Sequence, residues 1–379
     1  MKLTTAGESH GKALVAIIEG LPAHLKLDIE KINAALALRQ SGFGRGGRQK
    51  IERDRVEILT GVRNGETLGS PVTLCIFNKD FANWESAMSA SACDKEVMES
   101  KKLTKVRPGH ADLTGMLKYD QEDARNILER ASARETAIRV AAGEVYRQYL
   151  STLGVEIGGY VREVCGVKDG GRYAFNDLLR AKQTELGMLN SEVEQAAKEK
   201  IVAIRKDGDT AGGIFEVRVR GLKSGFGSVM TYEEKLDAQL ARGLMSIQAI
   251  KGVEIGEGFA VGSVSGREVH DEIFYNEERG FYRTTNRAGG LEGGMSNGEE
   301  LVLRAAMKPI PTLMKGLQTV EFASKEKAVA ASERSDVCAI FAAEVIAESV
   351  VAQVLADAVA KRLGGDTMAE VQERYARLP

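Results

Sequence analysis

VRPGHADLTG (residues 106–115) and, beyond a polar connecting segment, ERASARETAIRVAAG (residues 129–143) form the stretch around which this chain is organised. It holds His110, one of only four histidines, between Gly109 and Ala111 and behind Arg107 and Pro108. Arg130 and Arg134 bracket Ser132, and Ser132-Ala-Arg-Glu135 has the S-x-x-E form of a capping box, in which hydroxyl and carboxylate each satisfy a backbone N–H of the first turn. The pattern predicts a helix from Ala133 to about Leu153 with Ser132 as N-cap. A helix start carries unpaired N–H groups and partial positive charge; flanked by two arginines, it is a place for an anion.

The remainder of the composition limits what that anion site can serve. With 379 residues, 28% charged and 43% hydrophobic, the chain has the make-up of a globular protein, and length alone allows roughly two to three domains. A net charge of −2 and a pI near 6.2 argue against a surface built for nucleic acid or anionic lipid, so any anion site is local. Cys75, Cys93, Cys165 and Cys338 form no C-x-x-C pair and suggest neither a disulfide framework nor a zinc site. They read as reduced thiols of a cytoplasmic protein. The apolar run Ala13 to Ile18 is too short and wrongly placed for a signal peptide. Ala339 to Ala360 carries Glu344, Glu348 and Asp357, costly in a bilayer, and reads as a core helix.

Residues 1 to 20 predict two short strands around the turn GESHG. Gly7-x-Ser9-x-Gly11 also spells a hydrolase nucleophile elbow, but an elbow needs a sheet strand before it and a helix directly after, and here a β-like run follows. Asp28 to Gln40 predicts a helix capped by Asp28, leading into SGFGRGGRQ. Gly42, Gly44 and Gly47 spell G-x-G-x-x-G in the wrong order, helix then strand, for a dinucleotide fold. What survives is a basic loop with Arg39, Arg45 and Arg48, able to wrap an anion; a solvated loop or an RNA-binding Gly/Arg segment are the alternatives. Val56 to Gly61 and Ser70 to Phe77 predict strands, and Lys79 to Lys105, with the only Trp, an irregular polar excursion. Strands follow at Val155 to Val164 and Gly213 to Gly221, and helices near Phe175 to Gly187, at Ser191 to Asp207 and at Tyr232 to Ser246. Ser335 or Asp336 is expected to cap the last long helix. His24 and His270 read as structural or surface residues.

No metal-ligand cluster or P-loop is present in the sequence. A His or Arg recurs beside Gly or at a helix start: His10, Arg45, Arg107 with His110, Arg130 with Arg134, Arg334. The pattern points to a basic pocket around a small, multiply anionic molecule, with two histidines able to move protons near neutral pH.

GESHG, SGFGRGGRQKIE, VRPGHADLTG, ERASARETAIRVAAGEV, SIQAIKGVEIG, NRAGGLEGGMSNG and RSDVCA, in that order and spanning nearly the whole chain, closely resemble the chorismate synthase family. Where many members carry a Gly triplet, this chain has Ile127-Leu128-Glu129. The resemblance implies an α+β fold, a β-α-β sandwich with helices between antiparallel sheets, as one catalytic domain over residues 1–379 with mobile loops near 39–50, 79–105 and 308–335. It implies anti-1,4-elimination of phosphate from 5-enolpyruvylshikimate-3-phosphate, a carbon–oxygen lyase reaction dependent on reduced FMN, in a homotetramer. By family match, Arg39, Arg45, Arg48, Arg107, Arg134 and Arg334 would bind substrate. His10 would protonate the leaving phosphate, His110 would manage the reduced flavin's charge, and Asp336 would help the flavin N5 remove the ring proton. Arg130, Ala131, Ser132, Gln248, Ala249, Gly293, Lys308, Pro309, Ile310, Pro311, Thr312 and Arg334 would contact FMN. Arg39 and Arg45 also suit the phosphate of NADPH; the reductant is either NADPH or an external flavin reductase. A serine hydrolase using Ser9 and an RNA-binding module using the Gly/Arg loop are the competing classes.

Overall fold

Alternating burial builds the first sheet. In Ala13–Glu19 (β2), Leu14, Ala16 and Ile18 are buried, and the strand pairs antiparallel with Lys2–Ala6 (β1) across the GESHG turn, Thr5 opposite Ala16. The structure, a computed structural model, describes residues 1–47, 53–330 and 335–379. Helix Ile29–Gln40 (α1) starts where expected: the Asp28 carboxylate accepts the Glu30 and Lys31 N–H groups at 3.0 and 3.3 Å, and Ile32 and Leu36 face the core. Glu57–Thr60 (β3) and Val72–Phe77 (β4) complete a four-stranded antiparallel sheet in the order β1-β2-β4-β3.

Lys79 to Lys105 departs from its reading as an irregular excursion. It carries short helices at Lys79–Asn83, Glu85–Met88 and Lys95–Lys101, the last capped by the Asp94 side chain on Glu96 and Val97 N–H. They lack apolar periodicity because they lie on the surface, which hid them.

The polar segment between the two opening blocks is also helical. Asp112–Tyr119 (α2) and Arg125–Ala131 (α3) form a helical hairpin so close that a Cβ on Gly115 would fall 2.4 Å from Ile127 Cγ2. A single 3₁₀ turn, Ala133–Glu135, then leads into Thr136–Ser151 (α4). Ser132 caps as predicted, accepting the Arg134 N–H at 3.2 Å, but the box does not close. Ser132 also ends α3 and gives its own N–H to the Leu128 carbonyl, while the Glu135 carboxylate accepts from Thr5 Oγ1 at 2.9 Å.

The second sheet comprises Glu156–Val164 (β5), Val167–Lys168 (β6), Gly213–Arg220 (β7), Ile250–Ile255 (β8) and Leu301–Met307 (β9), all antiparallel in the order β8-β9-β7-β5-β6. Between the sheets lie α4, packed on β2 and β4, and Ile340–Leu363 (α5), packed on β5 and β7. These helices touch along their length; a Cβ on Gly143 would fall 2.3 Å from Ser349 Cβ, so only glycine admits this crossing without a shift. This is the expected sandwich of helices between antiparallel sheets. Its main apolar core draws on residues from Leu14 to Tyr375.

Helix α5 is buried on nearly every side, and its two buried carboxylates are compensated within the fold: Lys182 bonds Glu344 and lies 3.0 Å from Glu348, which Arg147 reaches at 2.8 Å. Burial, then the charge of Glu348 one turn away, raises the Glu344 carboxyl. Neither Ser335 nor Asp336 caps this helix. Its N-cap is Ala339, without a side-chain bond, because Asp336 is used elsewhere. No described helix is long and apolar enough to cross a membrane.

Candidate active site

His10 sits in the β1–β2 turn, which is fastened to the end of α3. The Ser9 N–H donates to the Glu129 carbonyl at 2.8 Å, and the His10 N–H donates to the Glu129 carboxylate at 2.7 Å. The same carboxylate lies 2.9 and 3.1 Å from His10 Nδ1. Trp84 stacks on the imidazole, centroids 4.1 Å apart at 27°. Ser9 itself is 2% exposed and followed by a strand, not a helix, so it is no nucleophile elbow. Sequence reading missed both Glu129 and Trp84 as neighbours of His10.

Below this turn lies a buried group of arginines. Arg134 donates to Asp54 at 2.5 Å and, through Nε and a terminal nitrogen, to Asn78 Oδ1 at 3.0 and 2.8 Å; Asn78 Nδ2 donates in turn to the Gly11 carbonyl at 2.7 Å. Arg39 donates to Thr136 Oγ1 at 2.9 Å and to the Ala133 carbonyl at 2.8 Å, with Asp54 4.0 Å away. Burial, then the positive charge of Arg45, pulls the Arg39 guanidinium down to about 9, with Arg134 adding to the effect. It remains protonated at neutral pH, in a field that an incoming anion would relieve. Asp336 joins from the far end of the chain: it accepts the Gly46 N–H at 2.6 Å and lies 3.4 Å from Arg45. The buried Arg45 Nε has no hydrogen-bond partner among the described residues. Arg48 and Arg334 lie outside the described residues.

The His110 segment forms a second cluster. His110 Nδ1 lies 2.5 Å from Asp112 Oδ1, and Asp112, 1% exposed, takes Arg107 Nε at 2.8 Å and a terminal nitrogen at 2.9 Å. Arg107 also reaches Thr312 Oγ1 at 3.3 Å, and Lys308 donates to the Gly109 carbonyl, so residues 308–312 close over this segment. Burial alone would raise the Asp112 carboxyl, but hydrogen bonds from His110 and Arg107 outweigh it and hold it below the usual carboxylate range. A depressed carboxyl contributes stability above its unfolded value near 4 and loses it as pH falls. Asp112→Asn should therefore cost about 3 kcal/mol at pH 7, the scale of a broken buried pair. In urea titrations its deficit against wild type should narrow on acidification towards pH 3; a deficit independent of pH would remove Asp112 from this role.

The residues expected at the flavin form a mostly connected set. Arg130 donates to the carbonyls of Thr5 and Gly7, both at 3.2 Å, and lies 3.8 Å from Glu135, whose other oxygen is 3.5 Å from Gln248 Nε2. Ala131 and Ser132 follow Arg130 directly at the end of α3. Lys308 N–H donates to the Ala249 carbonyl at 2.9 Å, and the Ile310 carbonyl accepts from Thr210 at 2.7 Å between Pro309 and Pro311. Two signs of a functional surface stand out: buried Gln248 Oε1 has no partner among the described residues, and Ala249 holds φ 69°, a left-handed conformation costing a side-chain-bearing residue roughly 1–2 kcal/mol. Gly293 is not joined to this set by any hydrogen bond among the described residues; it lies in the turn between Leu291–Glu292 and Met295–Ser296.

Known proteins resemble this chain over its whole length. A family model described as chorismate synthase matches residues 1–360. The chorismate synthase of Alkaliphilus metalliredigens is 52% identical over 375 residues, covering 99% of this chain and 98% of its own length. Those of Geobacter sulfurreducens and Caldicellulosiruptor bescii are 52% and 50% identical, covering 99% and 100% of this chain and 97% and 99% of theirs. A crystal structure of chorismate synthase aligns at 40% identity with a TM-score of 0.79, covering 99% of this chain and 96% of that one.

Proposed function

The chain belongs to the chorismate synthase family, the lyases of the last shikimate-pathway step, and from that premise we propose how its residues eliminate phosphate from 5-enolpyruvylshikimate-3-phosphate. The observation that carries the proposal is the meeting of Arg39, Arg45, Arg134 and Asp336 beneath the His10 turn, from three separate parts of the sequence.

The substrate bears a phosphate and two carboxylates. Arg39, Arg45, Arg107 and Arg134, with Arg48 and Arg334, neutralise them; planar guanidinium groups suit such bidentate contacts. The unpartnered Arg45 Nε supports this reading. His10 donates a proton to the phosphate oxygen as the C–O bond breaks and the bonding pair moves to that oxygen. Trp84 covers one face of the His10 ring and would shield the proton transfer from water on that side.

Gln248, Ala249, Arg130 to Ser132 and Lys308 to Thr312 would hold reduced FMN, and the orphaned Gln248 oxygen fits a ligand with ring N–H donors. When bound, reduced FMN supplies electron density and the base that takes the ring proton. His110, backed by Asp112, would serve as the proton donor that manages the charge of the reduced flavin. Asp336, held by Gly46 and Arg45, would support the base that the flavin supplies. NADPH at Arg39 and Arg45, or an external flavin reductase, supplies the reducing electrons, and the working assembly is a cytoplasmic homotetramer.

Anaerobic mixing with reduced FMN and 5-enolpyruvylshikimate-3-phosphate tests the proposal. A transient flavin spectrum with stoichiometric release of phosphate and chorismate is expected; turnover that persists without flavin would overturn the cofactor assignment. Repeating it with oxidised FMN and NADPH decides which reductant serves.

A further inference from the structure

Glu129 comes to His10 from the last turn of α3, and its side chain is 3% exposed. It grips the residue at two points, the backbone N–H at 2.7 Å and Nδ1 at 2.9 Å, which fixes both the turn and the ring. Arg125 lies 3.3 Å from the same carboxylate, and its guanidinium stands 4.9 Å from the centroid of Trp84, the ring stacked on His10. Ring, carboxylate, guanidinium and indole thus close on one another.

We infer that Glu129 is the positioning residue of the acid, holding His10 by Nδ1–H so that Nε2 is the proton-bearing atom offered to the leaving phosphate. This rests on the proposed role of His10. A carboxylate on one imidazole nitrogen decides which tautomer the ring adopts. During the elimination the Nε2 proton passes to the phosphate oxygen, and the ring is left neutral with its proton on Nδ1. Glu129 takes up no proton. Burial alone would raise its carboxyl, but the bonds from His10 outweigh burial and lower it, so it stays ionised opposite the ring.

Other charges around His10 oppose its protonation or stand farther off. Arg125 and Lys101 lie over Trp84, the latter at 4.6 Å, and Arg134 reaches the turn through Asn78. Asp80 is bonded to Trp84 Nε1 at 3.1 Å, and Glu8 and Lys12 are exposed on the turn itself. Among the described residues, Glu129 is the anion in contact with the imidazole.

Because Trp84 is the only tryptophan and stacks on His10, its emission reports the protonation of that ring, with His10→Ala as the control that removes the transition. Glu129→Gln should lower the pH midpoint of this transition by about one unit or more, the scale of losing an adjacent opposite charge. The alkaline limb of kcat/KM for phosphate release should move by the same amount. In the wild-type protein, ¹⁵N-histidine spectra above the midpoint should show the Nδ1–H tautomer for His10, a reading independent of whether the variant folds. An unmoved emission midpoint, or a majority Nε2–H tautomer, overturns the inference. A midpoint that shifts while the alkaline limb stays put overturns instead the role of His10 as the acid.

Discussion

Replacing His10 with alanine is expected to slow phosphate release by roughly 10²-fold or more, the scale of a lost general acid. The loss should fall on kcat and leave KM nearly unchanged, because the arginines that hold the substrate are separate side chains and their bonds do not pass through the imidazole. The fold should tolerate the change. The His10 ring is 15% exposed, and Glu129, left without it, still has Arg125 at 3.3 Å. Thermal midpoints of the two proteins should therefore agree within a few degrees, roughly what a change below 1 kcal/mol produces. Single-turnover phosphate release with pre-bound reduced FMN makes the comparison free of product dissociation. Turnover near wild type would show that another group protonates the phosphate.

The elements around these residues were readable where local physics decides them. Asp28 capping Ile29–Gln40 and the GESHG hairpin follow from a cap and a turn, while the α4 and α5 helices follow from their apolar content and not from the caps expected of them. Reading failed where a side chain with local options was used at long range. Glu135 has the right spacing for a capping box, yet it serves Thr5 and Gln248; Asp336 stands where a cap would, yet it holds Gly46. In both cases the distant use lies at the site. Local signatures are overruled where function needs the group.

The cations and histidines of the candidate site could be named from the sequence, Arg48 and Arg334 lying outside the described residues, but not what holds the others. Asp112 is only two residues from His110 and could have been found from that spacing alone. Glu129 and Asn78 could not. Glu129 lies 119 residues from His10 and Asn78 lies 56 from Arg134, so only the folded sheet and the α2–α3 hairpin bring them together. Trp84 was hidden for a further reason: it lies in a polar segment whose short helices show no periodicity.

Arg134→Met is expected to cost more than the loss of one substrate contact. Its guanidinium is 7% exposed and is the close partner of Asp54, whose side chain is fully buried; with it gone, Asp54 keeps, among the described residues, only Arg39 at 4.0 Å. Breaking a buried pair from one side leaves an uncompensated charge and costs roughly 3–5 kcal/mol. The damage reaches His10 as well, since Asn78 Oδ1 loses both Arg134 donors while Asn78 Nδ2 holds the Gly11 carbonyl of the His10 turn. Urea unfolding should show the full loss, and KM for 5-enolpyruvylshikimate-3-phosphate should rise together with a fall in kcat. The double variant Arg134→Met with Asp54→Asn separates structure from binding. Neutralising the stranded carboxylate should return much of the stability, a non-additive result expected of residues in contact. It should not return the substrate affinity, because the cation is still missing. Recovery of KM along with stability would mean that Arg134 serves only to hold Asp54 and Asn78 in place and that the phosphate or carboxylates of the substrate are met by other arginines.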